Sequence, residues 1–153
     1  MDLTHLSLEQ LSNGLRRGDW SAADLARHCE ENHHRHEPVL QAYKTWNGEG
    51  AIATADLADR LLTRGIDLGP LMGLPVSVKD LYAVRGLPTF AGSVEPLGPD
   101  WERPGPLMGG LERQLAPVMG KTHTVEFAFG GIGVNAHWGT PRNPWKTDEH
   151  RIP

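Results

Sequence analysis

An α/β fold is predicted by three features of the sequence. Two segments with matched helix-capping residues open the chain, and an alanine-rich helical segment follows them. After residue 66 the hydrophobic period changes from helical to strand-like, with Pro and Gly turns between the pieces. The sequence therefore divides into a helical segment, 1–66, and a segment of first strands and helices, 67–153. A length of 153 residues fits one domain. Gly and Pro make up 30 of the 153 residues, so the chain reads as folded and loop-rich.

Ser7 caps the first helix with Gln10 at its third position, and Leu6 and Leu11 occupy the hydrophobic-staple positions. Leu8, Leu11 and Leu15 continue at helical spacing, and Gly18 ends the helix. The same signals recur at Ser21 and Asp24, with Trp20 paired to Leu25. This second helix is expected to stop near His36, because Pro38 lacks the N–H that would continue it. The third runs from Glu49 to Arg64 with Ala51, Ala55, Ala58 and Leu62 on one face, and Gly65 supplies a left-handed cap.

Leu74 to Leu81 alternates apolar and polar residues, placing Val76 and Val78 on one face of a strand and Ser77 and Lys79 on the other. Residues 85–106 hold five prolines and four glycines and read as loop. A helix over Leu107–Leu115, a strand over Ala116–Met119 and a short helix capped by Thr122 or Thr124 complete the predicted elements. From Gly130 the chain is irregular.

Composition excludes several classes. The net charge is −4 and the 15 basic residues are scattered, so no basic stripe marks a nucleic-acid binder. The lone Cys29 rules out an internal disulfide framework. No apolar run reaches the roughly 18 residues that span a bilayer, and Met1 to His5 lack signal-peptide character. A cytoplasmic location is expected.

Chemistry concentrates on few residues. Lys79, on a strand after Leu-Pro-Val-Ser-Val and before Asp80, is either an edge-strand charge or a desolvated amine able to act as a general base. Gly120-Lys121-Thr122 fails the Walker A spacing, because Leu115 stands where that loop needs Gly, and Lys121 then reads as a surface lysine. Cys29 and His33 share a helix face, yet no second ligand pair with zinc spacing follows, and a solvated helix end is favoured. Trp101, Trp138 and Trp145 form either a ligand wall or anchors for long loops, and anchoring is favoured.

Three longer segments agree with one family. Gly69 to Asp80, continuing through Gly86-Leu87-Pro88-Thr89-Phe90-Ala91-Gly92-Ser93, resembles the lysine motif of the amidase signature family. Gly120 to Gly130 and Gly139 to Trp145 resemble its next two motifs, in order and spacing. The resemblance implies an α/β/α sandwich around a mixed sheet, preceded by helices, of which 67–153 would form the first part of an incomplete amidase domain. It also implies carboxamide hydrolysis by a Ser–cis-Ser–Lys triad, with Lys79 as the base and with neither metal nor organic cofactor.

In that family a segment like Arg151-Ile152-Pro153 leads into a Gly-Gly-Ser-Ser-Gly loop, which these 153 residues do not contain. Ser77 and Ser93 match neither family serine, so one of three triad members is present and the isolated chain is expected to be inactive. The partners implied are a small amide substrate and a complementing C-terminal part or a homo-oligomer, with no nucleic acid or membrane. The alternatives are a truncated relic with a structural or binding role, or a fragment of the amidase-like subunit of an aminoacyl-tRNA amidotransferase. Leu81, where those subunits commonly carry Asn, tilts the reading toward a stand-alone amidase.

Overall fold

The computed structural model describes residue 3 and residues 5–145, so the Arg151-Ile152-Pro153 segment lies outside the described residues. The elements, in order, are α1 (Leu8–Arg17), α2 (Ala22–Leu40), β1 (Tyr43–Trp46), α3 (Gly48–Leu62), β2 (Val76–Lys79), α4 (Pro106–Arg113) and β3 (Val118–Thr122). Short 3-10 turns span Pro99–Glu102 and Glu126–Ala128. The sheet has the order β1-β3-β2, with β1 antiparallel to β3. Val76 N donates to Pro117 O and Asp80 N to Thr122 O, so β2 and β3 advance in the same direction and the sheet is mixed.

Two compact units are distinguished. The first comprises Met1–Glu30, Asn47–Val76 and Gly110–Met119. Its helices start where the sequence says they should. At α1, Ser7 Oγ accepts from Gln10 N (3.2 Å) while Gln10 Oε1 accepts from Ser7 N (2.7 Å). Gly18 ends that helix at φ 76°.

At α2, Ser21 Oγ accepts from Asp24 N and Asp24 Oδ2 accepts from Ser21 N. The two N–H groups between them go to a partner the local sequence does not name. Asp59 of α3 accepts from Ala22 N at 2.7 Å and Ala23 N at 3.0 Å. The four N–H groups at the start of α2 are thus satisfied by the side chains of Ser21, Asp24 and Asp59.

The core of this unit is small-residue packing. Ala22, Ala26, Ala51, Ala55 and Ala58 are fully buried, with Leu15, Leu25, Met72 and Leu74 around them. Gly73 sits at φ 75°, and a Cβ there would lie 2.8 Å from Ala22 Cβ. Only glycine meets both demands.

The second unit comprises Glu31–Trp46, Ser77–Gly109 and Gly120–Pro153. Here α2 runs on to Leu40, past the expected stop at His36. Pro38 lies in the last turn, and Gln41 N donates to Glu37 O at 2.9 Å, so the ladder resumes after the one missing bond. Glu37 then uses its carboxylate to accept from Tyr43 N at 2.8 Å, which starts β1.

The strand β1 is absent from the sequence-based expectation. Its neighbour β3 ends at Thr122, beyond the predicted Met119. The predicted helix at Glu126 is a single 3-10 turn that neither Thr122 nor Thr124 caps. Thr122 is held in β3, and Thr124 Oγ1 donates instead to Val125 O.

Candidate active site

The alternation read from the sequence holds in β2: Val76 and Val78 are half-buried, while Ser77 and Lys79 are exposed. The structure places Lys79 at the C-terminal end of this outer strand. Its carbonyl accepts from Leu81 N (2.7 Å) and Tyr82 N (3.0 Å), so the backbone turns immediately after it. Among the described residues the Lys79 ammonium makes no hydrogen bond or ion pair. Ser77, on the same face, shares a 2.5 Å hydrogen bond with the Tyr43 hydroxyl. The tyrosine ring reaches it over Gly120, where a Cβ would stand 2.9 Å from the ring.

Behind this face lies a polar core. Asp80 is completely buried, and so is Lys121. Lys121 Nζ stands 2.7 Å from Asp80 Oδ1 and donates to Pro88 O at 2.8 Å and Thr89 Oγ1 at 2.7 Å. Lys121 thus makes two hydrogen bonds to neutral oxygens and one ion pair with Asp80. Asp80 Oδ2 accepts from Phe90 N at 3.1 Å, and the Thr89 hydroxyl donates to Trp101 O at 3.1 Å. Burial pushes the Lys121 ammonium below its ordinary pKa, and the adjacent Asp80 carboxylate works against that shift.

Lys121 is thus the residue that sequence reading misplaced. It is a strand residue and fully buried, because Asp80, 41 positions earlier, supplies its counter-charge. The Lys-Asp pair of one motif and the Gly-Lys-Thr of another were the only available signals, and nothing local joins them.

A second tie gathers the loops. Asn135, also buried, donates from Nδ2 to Gly92 O (2.7 Å) and Thr124 O (3.0 Å), and its Oδ1 accepts from His137 N and Trp138 N. Gly92 at φ 77° leaves no space for a Cβ, which would lie 2.8 Å from Thr124 O.

Trp138 acts as the anchor expected of it: Nε1 donates to Ser93 O at 2.6 Å. Its ring and that of Phe90 enclose the Lys44 ammonium, 3.5 and 3.7 Å from the respective centroids. Trp101 and Trp145 do not anchor in this way; both rings are exposed.

His33 stacks on Trp46 at 3.7 Å, while Cys29 is half-buried. Among the described residues no three His, Cys, Asp or Glu side chains are grouped to hold a metal ion, and no helix is long and apolar enough to cross a membrane.

The fold and the two lysine-bearing motifs define an amidase-signature α/β protein. The Amidase family model matches residues 24–152, and the chain belongs to that family. It is 60% identical over 153 residues to 2-amino-5-chloromuconic acid deaminase of Comamonas testosteroni, covering 100% of this chain and 33% of that protein. It is 31% identical over 150 residues to a glutamyl-tRNA(Gln) amidotransferase subunit of Geobacter metallireducens, covering 97% of this chain and 30% of that relative. A crystal structure of an amidase superposes with a TM-score of 0.82 at 32% identity, over 90% of this chain and 31% of the amidase. The chain thus spans about a third of the length of the relatives it matches.

Proposed function

We propose that these residues are the N-terminal third of a hydrolase that cleaves C–N bonds, with Lys79 as the general base of a Ser–cis-Ser–Lys mechanism. The observation that carries this reading is the Lys79-Asp80 pair at the end of β2, with Asp80 locked in place and Lys79 left presented on the exposed face. A neutral lysine amine there would take the proton of the bridging serine, which in turn takes that of the attacking serine. The acyl group passes to the attacking serine, the proton held on Lys79 returns through the bridging serine to the nitrogen, which leaves as ammonia or amine, and water activated the same way then releases the acid.

On this reading both serines belong to the two thirds of such a protein that this chain does not span, which would complete the site and desolvate Lys79. Phe127, Phe129, Ile132 and Val134 stand exposed close together in the chain, as surfaces awaiting such cover would.

A second reading concerns the substrate. The 60% identity to the Comamonas deaminase favours a small amino-substituted unsaturated diacid over a simple linear amide. In that case the enamine would tautomerise to its imine, water would add at that carbon, and ammonia would leave to give the 2-oxo acid, with Lys79 moving the protons and no acyl group transferred. The cytoplasm is the proposed location.

Ammonia release by the full-length protein tests both readings, with 2-amino-5-chloromuconic acid, benzamide and glutamine as substrates. Lys79→Ala is expected to lower the rate at least about 10²-fold by removing the base. Lys79→Arg is expected to be nearly as damaging, because guanidinium stays protonated. Near-full activity in Lys79→Ala would overturn the mechanism. Preference for benzamide would set aside the diacid.

A further inference from the structure

We propose that Lys121 is a positioning residue for the reaction, fixing Lys79 through Asp80; this rests on the reading of Lys79 as the base. The ammonium of Lys79 has no polar partner of its own among the described residues, so the backbone alone fixes where its side chain starts. That backbone is pinned one residue later. Asp80 N donates to Thr122 O at 3.0 Å, Asp80 Oδ2 accepts from Phe90 N at 3.1 Å, and Oδ1 meets Lys121 Nζ at 2.7 Å. Lys121 is itself held by Pro88 O and Thr89 Oγ1, so a single buried ammonium joins β3, the 88–90 loop and the end of β2.

Stability alone does not call for this arrangement. A buried ion pair can generally be replaced by neutral groups of similar volume with little loss, or with a gain. What neutral groups would not reproduce is the 2.7 Å Lys121–Asp80 contact on the residue next to Lys79. The pair therefore serves placement.

Steady-state kinetics of the full-length protein separates the two roles, using whichever of the three C–N substrates the wild type turns over fastest. Lys121→Met alone strands a buried carboxylate and is expected to unfold or precipitate. In Asp80→Asn/Lys121→Met both charges are gone. The expected result is a Tm close to wild type, kcat lower by about 10²-fold and KM within about 3-fold, as misplacement of a reacting group produces.

Thr89→Val removes one Lys121 ligand at nearly constant volume and serves if the double variant does not fold. Its kcat is expected to fall by about 5-fold with KM unchanged. Wild-type kcat in the folded double variant, or in Thr89→Val when the double variant is unfolded, would overturn the proposal. Lys79→Ala is run in parallel. If Lys79→Ala is inactive while these variants turn over normally, only the positioning role falls. If Lys79→Ala is itself active, or no substrate is turned over, the proposed function falls and takes the positioning role with it.

Discussion

Asp59 is the most exacting test of the helical unit, because one side chain on α3 terminates another helix. Its two carboxylate oxygens accept from Ala22 N at 2.7 Å and Ala23 N at 3.0 Å, and both alanines are buried. Asp59→Ala leaves two N–H groups with no acceptor and little water. Each stranded donor costs about 1–3 kcal/mol, and losing a negative charge at the positive end of a helix adds about 0.3–1 kcal/mol.

Water entering the space left by the carboxylate offsets part of this, so a net loss of about 2–4 kcal/mol is expected. Asp59→Asn keeps one acceptor and loses the charge, and about half that loss is expected. Ser21→Ala removes only the local cap and should cost about 1 kcal/mol. Urea unfolding of the three variants, read as a midpoint shift at constant m-value, measures the order. Hydrogen exchange at the amides of Ala22 and Ala23 locates the effect. A loss below about 1 kcal/mol in Asp59→Ala, or a loss no larger than that of Ser21→Ala, would refute the bidentate cap.

Two further outcomes are expected alongside those for Lys79 and Lys121. Gly120→Ala puts a Cβ 2.5 Å from Thr45 O and 2.9 Å from the Tyr43 ring, so it should destabilise by about 1–3 kcal/mol and lower Tm; an unchanged Tm would mean Tyr43 lies elsewhere. Asp67 is held below the usual carboxylate range by the Gly69 N–H, and also by the Arg16 guanidinium. Because its folded pKa is the lower one, the stabilisation is present above about pH 4 and lost as pH falls through the folded value. Asp67→Asn should flatten the acid limb of a Tm–pH curve modestly, since the group is half exposed; an unaltered acid slope would count against the pairing.

What could be read in advance was local. Ser7 with Gln10, Ser21 with Asp24, Gly18 and Gly65 each act within a helical turn of their own position, and each is found where the spacing puts it. The alternation of Val76 to Lys79 is likewise a property of four neighbouring residues. Failures came where a distant partner decides. Lys121 looks like a surface lysine until Asp80 is beside it, and no spacing rule connects positions 80 and 121. The four residues of β1 are too few to show a period, and their start depends on the Glu37 carboxylate one helix earlier. Pro38 misled because the rule against proline applies to a helix interior, whereas only two residues of α2 follow it.

The bare backbone at Gly120 has a mechanical outcome. Tyr43 crosses the middle strand there and its hydroxyl meets Ser77, so the two outer strands are braced by a strut as well as by the amide ladder of β3. The pairing of β1 with β3 slips between Tyr43 and Thr45, which by itself would give that edge some freedom to slide. With the strut in place, β1 cannot shift along β3 without pulling on β2, the strand that ends in Lys79. Register in this sheet is therefore checked twice, and an error at one edge is felt at the other.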